Sequence, residues 1–389
     1  MTPRAVAAGL TACVCAAIVA ALLIHRYAMP APAFYFVNDQ PAYLSLAKQP
    51  FVQTPAVYAP ASWRVFPPLA ARAIADATGT DAEHGFLLLT FGCLALMPIA
   101  AFFFLTALGL SPQTSLVGAA VVALSPTMLG YAAWDVVRVD PPSLLLLFVA
   151  SYAVIRRLNI LLIASIVALA LTKETVFLGV FFALAWAVRF DRRMLPSALA
   201  SLAAAVVLRV FVLPRVMPSP IAFDNLFALN DLIRQFTPRY AARRLLLASA
   251  TTWNLMLPLA ALWLATSLRD RLAQVLLAAI IVAESQILVA SETQRIVAAG
   301  YPYVVACAAF ALESLGPRRR AVGAALVLAQ LPWLWENGRI VHLAWLRGVE
   351  IGIAIATVAV VLWGARYART NRRPSTVQPP ASTSPMASG

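Results

Sequence analysis

The sequence predicts an all-α, polytopic transmembrane protein of about twelve spans, and three observations lead to that fold class. Of its 389 residues 62% are hydrophobic and only 12% charged, against about 45–50% and about 25% in soluble domains. The apolar residues come in repeated runs long enough to cross roughly 30 Å of hydrocarbon. The basic residues gather in short connections between alternate runs, where the positive-inside rule places them. A chain of this length would otherwise read as two or three soluble domains. Here a single membrane domain, 1–369, precedes a tail, 370–389, whose Pro, Ser and Thr content predicts disorder.

The first apolar segment, Ala5 to Ile24, has the length of a signal peptide, but His25-Arg26-Tyr27 replaces a small-x-small cleavage site. It reads as a retained helix. Further segments follow at about 85–107, 113–130, 143–155, 159–171, 176–188, 196–213, 249–268, 272–290, 298–315, 321–335 and 349–364. The two beside Lys173 are short for full spans and call for tilt or for packing against neighbours. Two connections are long, about 26–84 and 214–248. Each holds an amphipathic stretch suited to a membrane surface. In the first, Leu69, Ala70, Ala73, Ile74 and Ala77 share a face opposite Arg72 and Asp76; in the second, Leu226, Leu229, Ile233 and Phe236 oppose Asp231 and Arg234.

Charge sets the orientation. With a cytoplasmic N-terminus, Arg4, the turns at 156–157, 189–193, 269–271 and 318–320, and the tail hold 15 of the 30 basic residues inside. The short outer turns carry one each: Arg138, Lys173 and Arg295. This places both termini in the cytoplasm and the working side outside a cell membrane. Of the 16 carboxylates only Asp191, Asp270 and Glu313 fall on the inner side, so the outer side is acid-rich, as a polar vestibule there requires.

The net charge of +14 raises the question of nucleic acid. No solvent-facing basic stripe with interleaved aromatics supports that partner. The four cysteines (Cys13, Cys15, Cys93, Cys307) lie within apolar runs, away from disulfide or zinc spacing. His25, His84 and His342 are scattered, and Walker, nucleophile-elbow and dinucleotide fingerprints do not occur.

Several outer-side groups could carry chemistry. Asp39, after Phe34-Tyr35-Phe36, suits a general base or a metal ligand, and Asn38-Asp39 equally suits a helix start. Asp135 and Asp140 flank Arg138 in an outer turn, placed to hold a divalent cation, to orient a sugar, or simply to pair with the arginine. Lys173 and Glu174 lie between very apolar segments, where ionisable groups face a cavity or each other. They either neutralise one another or leave Lys173 to meet a phosphate as a point charge. Arg295, near Glu292, can fork a phosphate or make a surface ion pair. Arg239, Arg243 and Arg244 share a helical face fit for lipid headgroups, and Arg209, near a helix end, reads as snorkelling.

A short N-terminal helix, a long first outer loop with an early Asp and surface helices, and many spans after it resemble the GT-C superfamily of membrane glycosyltransferases. That superfamily includes protein O-mannosyltransferases and aminoarabinose transferases. Asp39-x-x-x-Tyr43-Leu44 and Trp63-Arg64-Val65-Phe66-Pro67-Pro68-Leu69 are also similar to bacterial members, as is the Lys173-Glu174 turn. The resemblance implies a polyprenyl-phosphate-linked sugar as donor and an extracytoplasmic or lipid acceptor. It makes Asp39 the catalytic residue and Arg295, with Lys173, the phosphate-binding choice. Glu174, Arg138, Asp135, Asp140 and Arg64 become substrate-binding candidates, and Asp39, Asp135 and Asp140 would hold a divalent metal ion if one is used. The soluble C-terminal domain of some members has no counterpart in the sequence.

The rival reading is a transporter or lipid flippase, since many secondary transporters have twelve spans with cytoplasmic ends. Those folds place sites at the midplane between internal repeats. Here charge lies near the outer rim, without an obvious repeat or a long central cytoplasmic connection. A non-catalytic assembly partner is the third reading.

Overall fold

Apolar runs broken by capped turns fold as helices throughout. The computed structural model describes residues 9–11, 13–14, 18, 40–49, 51, 61–129, 137–217, 238–285, 297–332 and 344–370, and among these no strand occurs. Of the expected first helix only residues 9–11, 13–14 and 18 are described, all helical, while the amphipathic stretch at 226–236 and the tail after Thr370 lie outside the described residues.

Short helices α1 (Gln40–Lys48) and α2 (Phe66–Thr78) precede the long α3 (Ala82–Ala107). Asp81 starts α3 by accepting the His84 amide at 2.9 Å, a side-chain cap. Then come α4 (Pro112–Ala123), α5 (Asp140–Ile155), α6 (Asn159–Ala170), α7 (Val176–Arg189) and α8 (Leu195–Val206). α8 continues through a π-helical stretch, Val207–Val212, into Leu213–Val216. The second half holds α9 (Pro238–Trp253), α10 (Met256–Ser267), α11 (Arg271–Ser285), α12 (Tyr301–Ser314), α13 (Arg319–Leu328) and α14 (Ala344–Thr370).

Among the described residues three helices are long and apolar enough to cross a membrane: Ala82–Ala107, Arg192–Val216 and Trp345–Gly364. The bent pair α9–α10 makes a fourth if taken as one span. α6 has 12 residues, a rise of about 18 Å, well short of the roughly 30 Å core. Such a helix needs neighbours, and α6 has them in α5 and α8. The exterior carries Leu96, Phe103, Ile160, Phe211, Ile355 and Trp363, all exposed. Apolar cover on that scale belongs against lipid and not against water.

The largest apolar core joins helices from both halves of the chain. At its centre Phe104, Phe148, Phe182 and Tyr303 join α3, α5, α7 and α12, with ring centroids 4.9–6.4 Å apart. Rings at these separations gain about 0.5–1.5 kcal/mol per pair beyond burial.

The connections sort to two ends. At one, Arg157 pairs with Asp191, and Glu313 takes Arg319 at 2.8 Å and the Ser111 hydroxyl at 2.7 Å. At the other, α1 and α2 form a second apolar cluster with Val137, Val139 and Met217. The Trp63 indole donates to Met217 O at 3.1 Å and the Phe66 amide to Leu171 O at 2.9 Å. α2 approaches α3 at Gly85, where a Cβ would lie 2.1 Å from Ala71 O.

α2 buries Pro67, Pro68, Ala71 and Ala75 against the protein, where backbone contact at Gly85 demands the smallest residues, and leaves Ala73 and Ala77 exposed. One expectation needs correction. The 249–268 segment is not a continuous helix: it bends by 110° between Trp253 and Met256. Asn254 there has φ +37°, a conformation Asn tolerates better than most residues. Its amide exchanges hydrogen bonds of 2.8 and 3.1 Å with the buried Gln330 amide, which holds the break.

Candidate functional site

Four separate stretches meet at the end built by α1 and α2. Tyr43 lies on α1, one turn from its start, and Arg64 just before α2. Lys173 and Glu174 form the turn between α6 and α7, and Arg209 lies in the π-helical part of the 192–216 helix. A π turn carries an extra residue and re-aims side chains, a feature often found at functional sites. The adjoining straps, Trp63 to Met217 and Phe66 to Leu171, hold the loop onto both partners.

Glu174 is the hub. Its Oε2 accepts from Arg64 Nη2 at 3.0 Å and its Oε1 from Arg209 Nη1 at 3.1 Å. Arg64 Nη1 donates to the Tyr43 hydroxyl at 2.7 Å. The two arginine side chains keep only 11% and 5% of their surface, while Glu174 keeps 43%. The carboxylate is thus the accessible member of the cluster. Burial raises a carboxyl pKa, but the guanidiniums of Arg64 and Arg209 outweigh it and hold Glu174 down at about 2.

Among the described residues one carboxylate, Glu174, faces the two guanidiniums. Arg209 spends one of its three nitrogens on Glu174. Its Nε and Nη2 are buried and have no hydrogen-bond partner among the described residues. Buried donors left unpaired cost about 1–3 kcal/mol each, more when charged. The arrangement suits an anion able to accept two parallel N–H bonds, which a phosphate or carboxylate does.

Next to the hub, Lys173 pairs with Asp140 at the start of α5, and Ser143 bonds Thr175 at 3.3 Å. Arg138 is buried in the same turn. Of the two alternatives for this pair, mutual neutralisation is not what the structure shows. Neighbours in a tight turn point apart, and each finds its partner across the fold. Snorkelling by Arg209 is also wrong: the side chain turns inward to Glu174.

Of the expected site residues, the fold brings Arg64, Arg138, Asp140, Lys173 and Glu174 to this end. Asp39, Asp135, Glu292 and Arg295 lie outside the described residues, as do the side chains of Arg239, Arg243 and Arg244. α1 begins at Gln40, the residue after Asp39. Among the described residues no group of three or more His, Cys, Asp or Glu could hold a metal ion. A divalent ion at Asp140 would have to compete with the Lys173 ammonium. Arg209 and Tyr43 were missed as site residues by sequence reasoning. The signal for Arg209 was its position as the sole charged residue between Arg193 and Arg215, since ionisable groups within apolar spans are functional candidates by default.

Compared with known proteins, the chain matches no family model and no curated protein.

Proposed function

We propose that the protein is a twelve-span membrane glycosyltransferase that moves a sugar from a polyprenyl-phosphate-linked donor to an extracytoplasmic or lipid acceptor. The observation that carries this reading is the inward-facing Arg209, buried with two unspent donor nitrogens beside an accessible carboxylate. A lipid-borne phosphate would enter laterally from the bilayer and take those donors, with Arg64 and Lys173 adding positive charge. Glu174 keeps the arginines apart and aimed. Asp39 would accept the proton of the acceptor hydroxyl as the acceptor oxygen displaces the phosphate from the anomeric carbon. The proton ends on the carboxylate, the lipid phosphate leaves with the bonding pair, and the anomeric centre inverts. Arg295 would reach the same phosphate from its own outer turn. Termini inside and site outside complete the reading.

The test is transfer of radiolabelled sugar from polyprenyl-phosphate donors to envelope acceptors, with wild type, Asp39→Asn and Arg209→Ala at matched expression. Transfer by the wild type that both substitutions abolish supports the reading. Transfer unaffected by Arg209→Ala removes the phosphate role, and a retained anomeric configuration removes the direct displacement.

The break at Asn254 favours a second reading, a transporter or flippase, because broken helices commonly frame transport sites. Movement of a fluorescent polyprenyl phosphate across vesicles, without sugar transfer, would select it.

A further inference from the structure

A second polar cluster, sharing no residue with the arginine hub, lies at the helix break. α9 stops at Trp253, and the chain turns by 110° before α10. The Asn254 amide still bonds Ala250 O at 2.9 Å, but the Leu257 amide bonds Asn254 O at 3.1 Å and not a carbonyl of the preceding turn. A helix that ends in this way presents backbone carbonyls and the negative end of its dipole.

Ser249, Thr252 and Trp253 fall within about 100° of helix surface, given 100° per residue. Ser249 donates to Glu284 Oε1 on α11 at 3.4 Å. Trp253 packs beside Ala283, since both close on the same side of Gly300. The opposite face of α9 is already satisfied: Thr251 donates to Glu350 at 2.8 Å, and Glu350 takes Arg347 at 3.2 Å. On the Glu284 face the balance differs. Glu284 Oε2, the Thr252 hydroxyl and the Trp253 indole nitrogen are buried without a hydrogen-bond partner among the described residues. Thr252 keeps 1% of its surface. No cation pairs with Glu284 among the described residues, unlike Glu350, Glu313 and Glu174.

We propose that this break binds a monovalent alkali cation, held by the Glu284 carboxylate, the hydroxyl oxygens of Ser249 and Thr252, and freed carbonyls at the end of α9. The ligands are hard oxygens, which suit such an ion. A single carboxylate balances a single charge, which disfavours a divalent ion. The Trp253 N–H is a donor and stands outside the ligand set. The assignment does not depend on the transfer reaction, so failure of either leaves the other intact.

The full-length protein in detergent provides the test. Binding of ²²Na⁺ is measured against N-methylglucamine at constant ionic strength, with the thermal unfolding midpoint followed in the same salts. The wild type is expected to show one saturable sodium component and a sodium-specific rise in midpoint. Glu284→Gln should lose both, Thr252→Val should weaken binding at least several-fold, and Glu350→Gln should keep both. Thr252→Val replaces a hydroxyl by a methyl of similar shape, so it reads the site even if Glu284→Gln fails to fold. Sodium binding no greater than in N-methylglucamine, or binding unchanged in Thr252→Val, overturns the proposal.

Discussion

At the scale of the residue, the hub turns on geometry more than charge. Lysine at 209 would keep the charge but lose the planar fork that offers two parallel donors. Arg209→Lys is therefore expected to lower transfer by about 100-fold or more, in line with removal of one well-placed donor at a reacting centre. Steady-state assays with varied donor will check this, and activity within a few-fold of wild type would remove Arg209 from the phosphate. Glu174 gives a pH argument with a definite sign. Its folded pKa of about 2 lies below the roughly 4.3 of a free glutamate, so ionisation stabilises the fold above that upper value. The contribution fades only as pH falls toward about 2. Between pH 5 and 8 Glu174 should not titrate, and an activity inflection in that window must come from another group. Glu174→Gln should move no such inflection while lowering the thermal midpoint. It leaves two buried guanidiniums facing each other, a cost of about 1–3 kcal/mol given the partial exposure of the carboxylate.

At the scale of the element, contact geometry decided several faces that hydrophobic pattern did not. The helices beginning at Ala82, Asp140, Asn159, Val176 and Arg271 sit close to where apolar runs place them. Apolar length is a local property, so it was legible. The rotation of α2 was not, because it depends on Gly85 in another helix. The break at Asn254 had a local signal that went unread, Pro258, which cannot donate to Asn254 O; its stabiliser, Gln330, lies 76 residues away and was not legible. Among the candidate site residues the charges were legible and their partners were not: Lys173 and Glu174 are adjacent in sequence yet serve different neighbours. The Gly85 contact yields a prediction. Gly85→Val must separate α2 from α3, at about 1–3 kcal/mol for an overpacked contact. Because Arg64 precedes α2, the same change should reduce transfer and expose the first loop to protease. An unaltered digestion pattern would show that the approach does not hold the loop.

At the scale of the whole molecule, the two ends differ in chemistry. One end pairs basic turns with Asp191 and Glu313, while the other gathers the hub and the surface helices. The proposed orientation places Glu83 outside and Arg320 inside, and both are exposed. In intact cells a membrane-impermeant maleimide should label Glu83→Cys directly and Arg320→Cys only after permeabilisation. The reverse pattern would invert the protein and put the hub in the cytoplasm. The apolar exterior between the ends predicts in addition that the protein stays with membranes through high-salt and carbonate washes.

The strap from Trp63 to Met217 joins residues 154 positions apart. A ribosome adding about 5–20 residues per second needs roughly 10–30 s to travel that distance. In the proposed orientation the first loop waits through that interval on the far side of the bilayer without this anchor, and for 110 positions of it Arg64 waits for Glu174. The centre thus assembles late in biosynthesis, and a chain halted before its eighth helix would display a loop ready for cleavage by surveillance proteases.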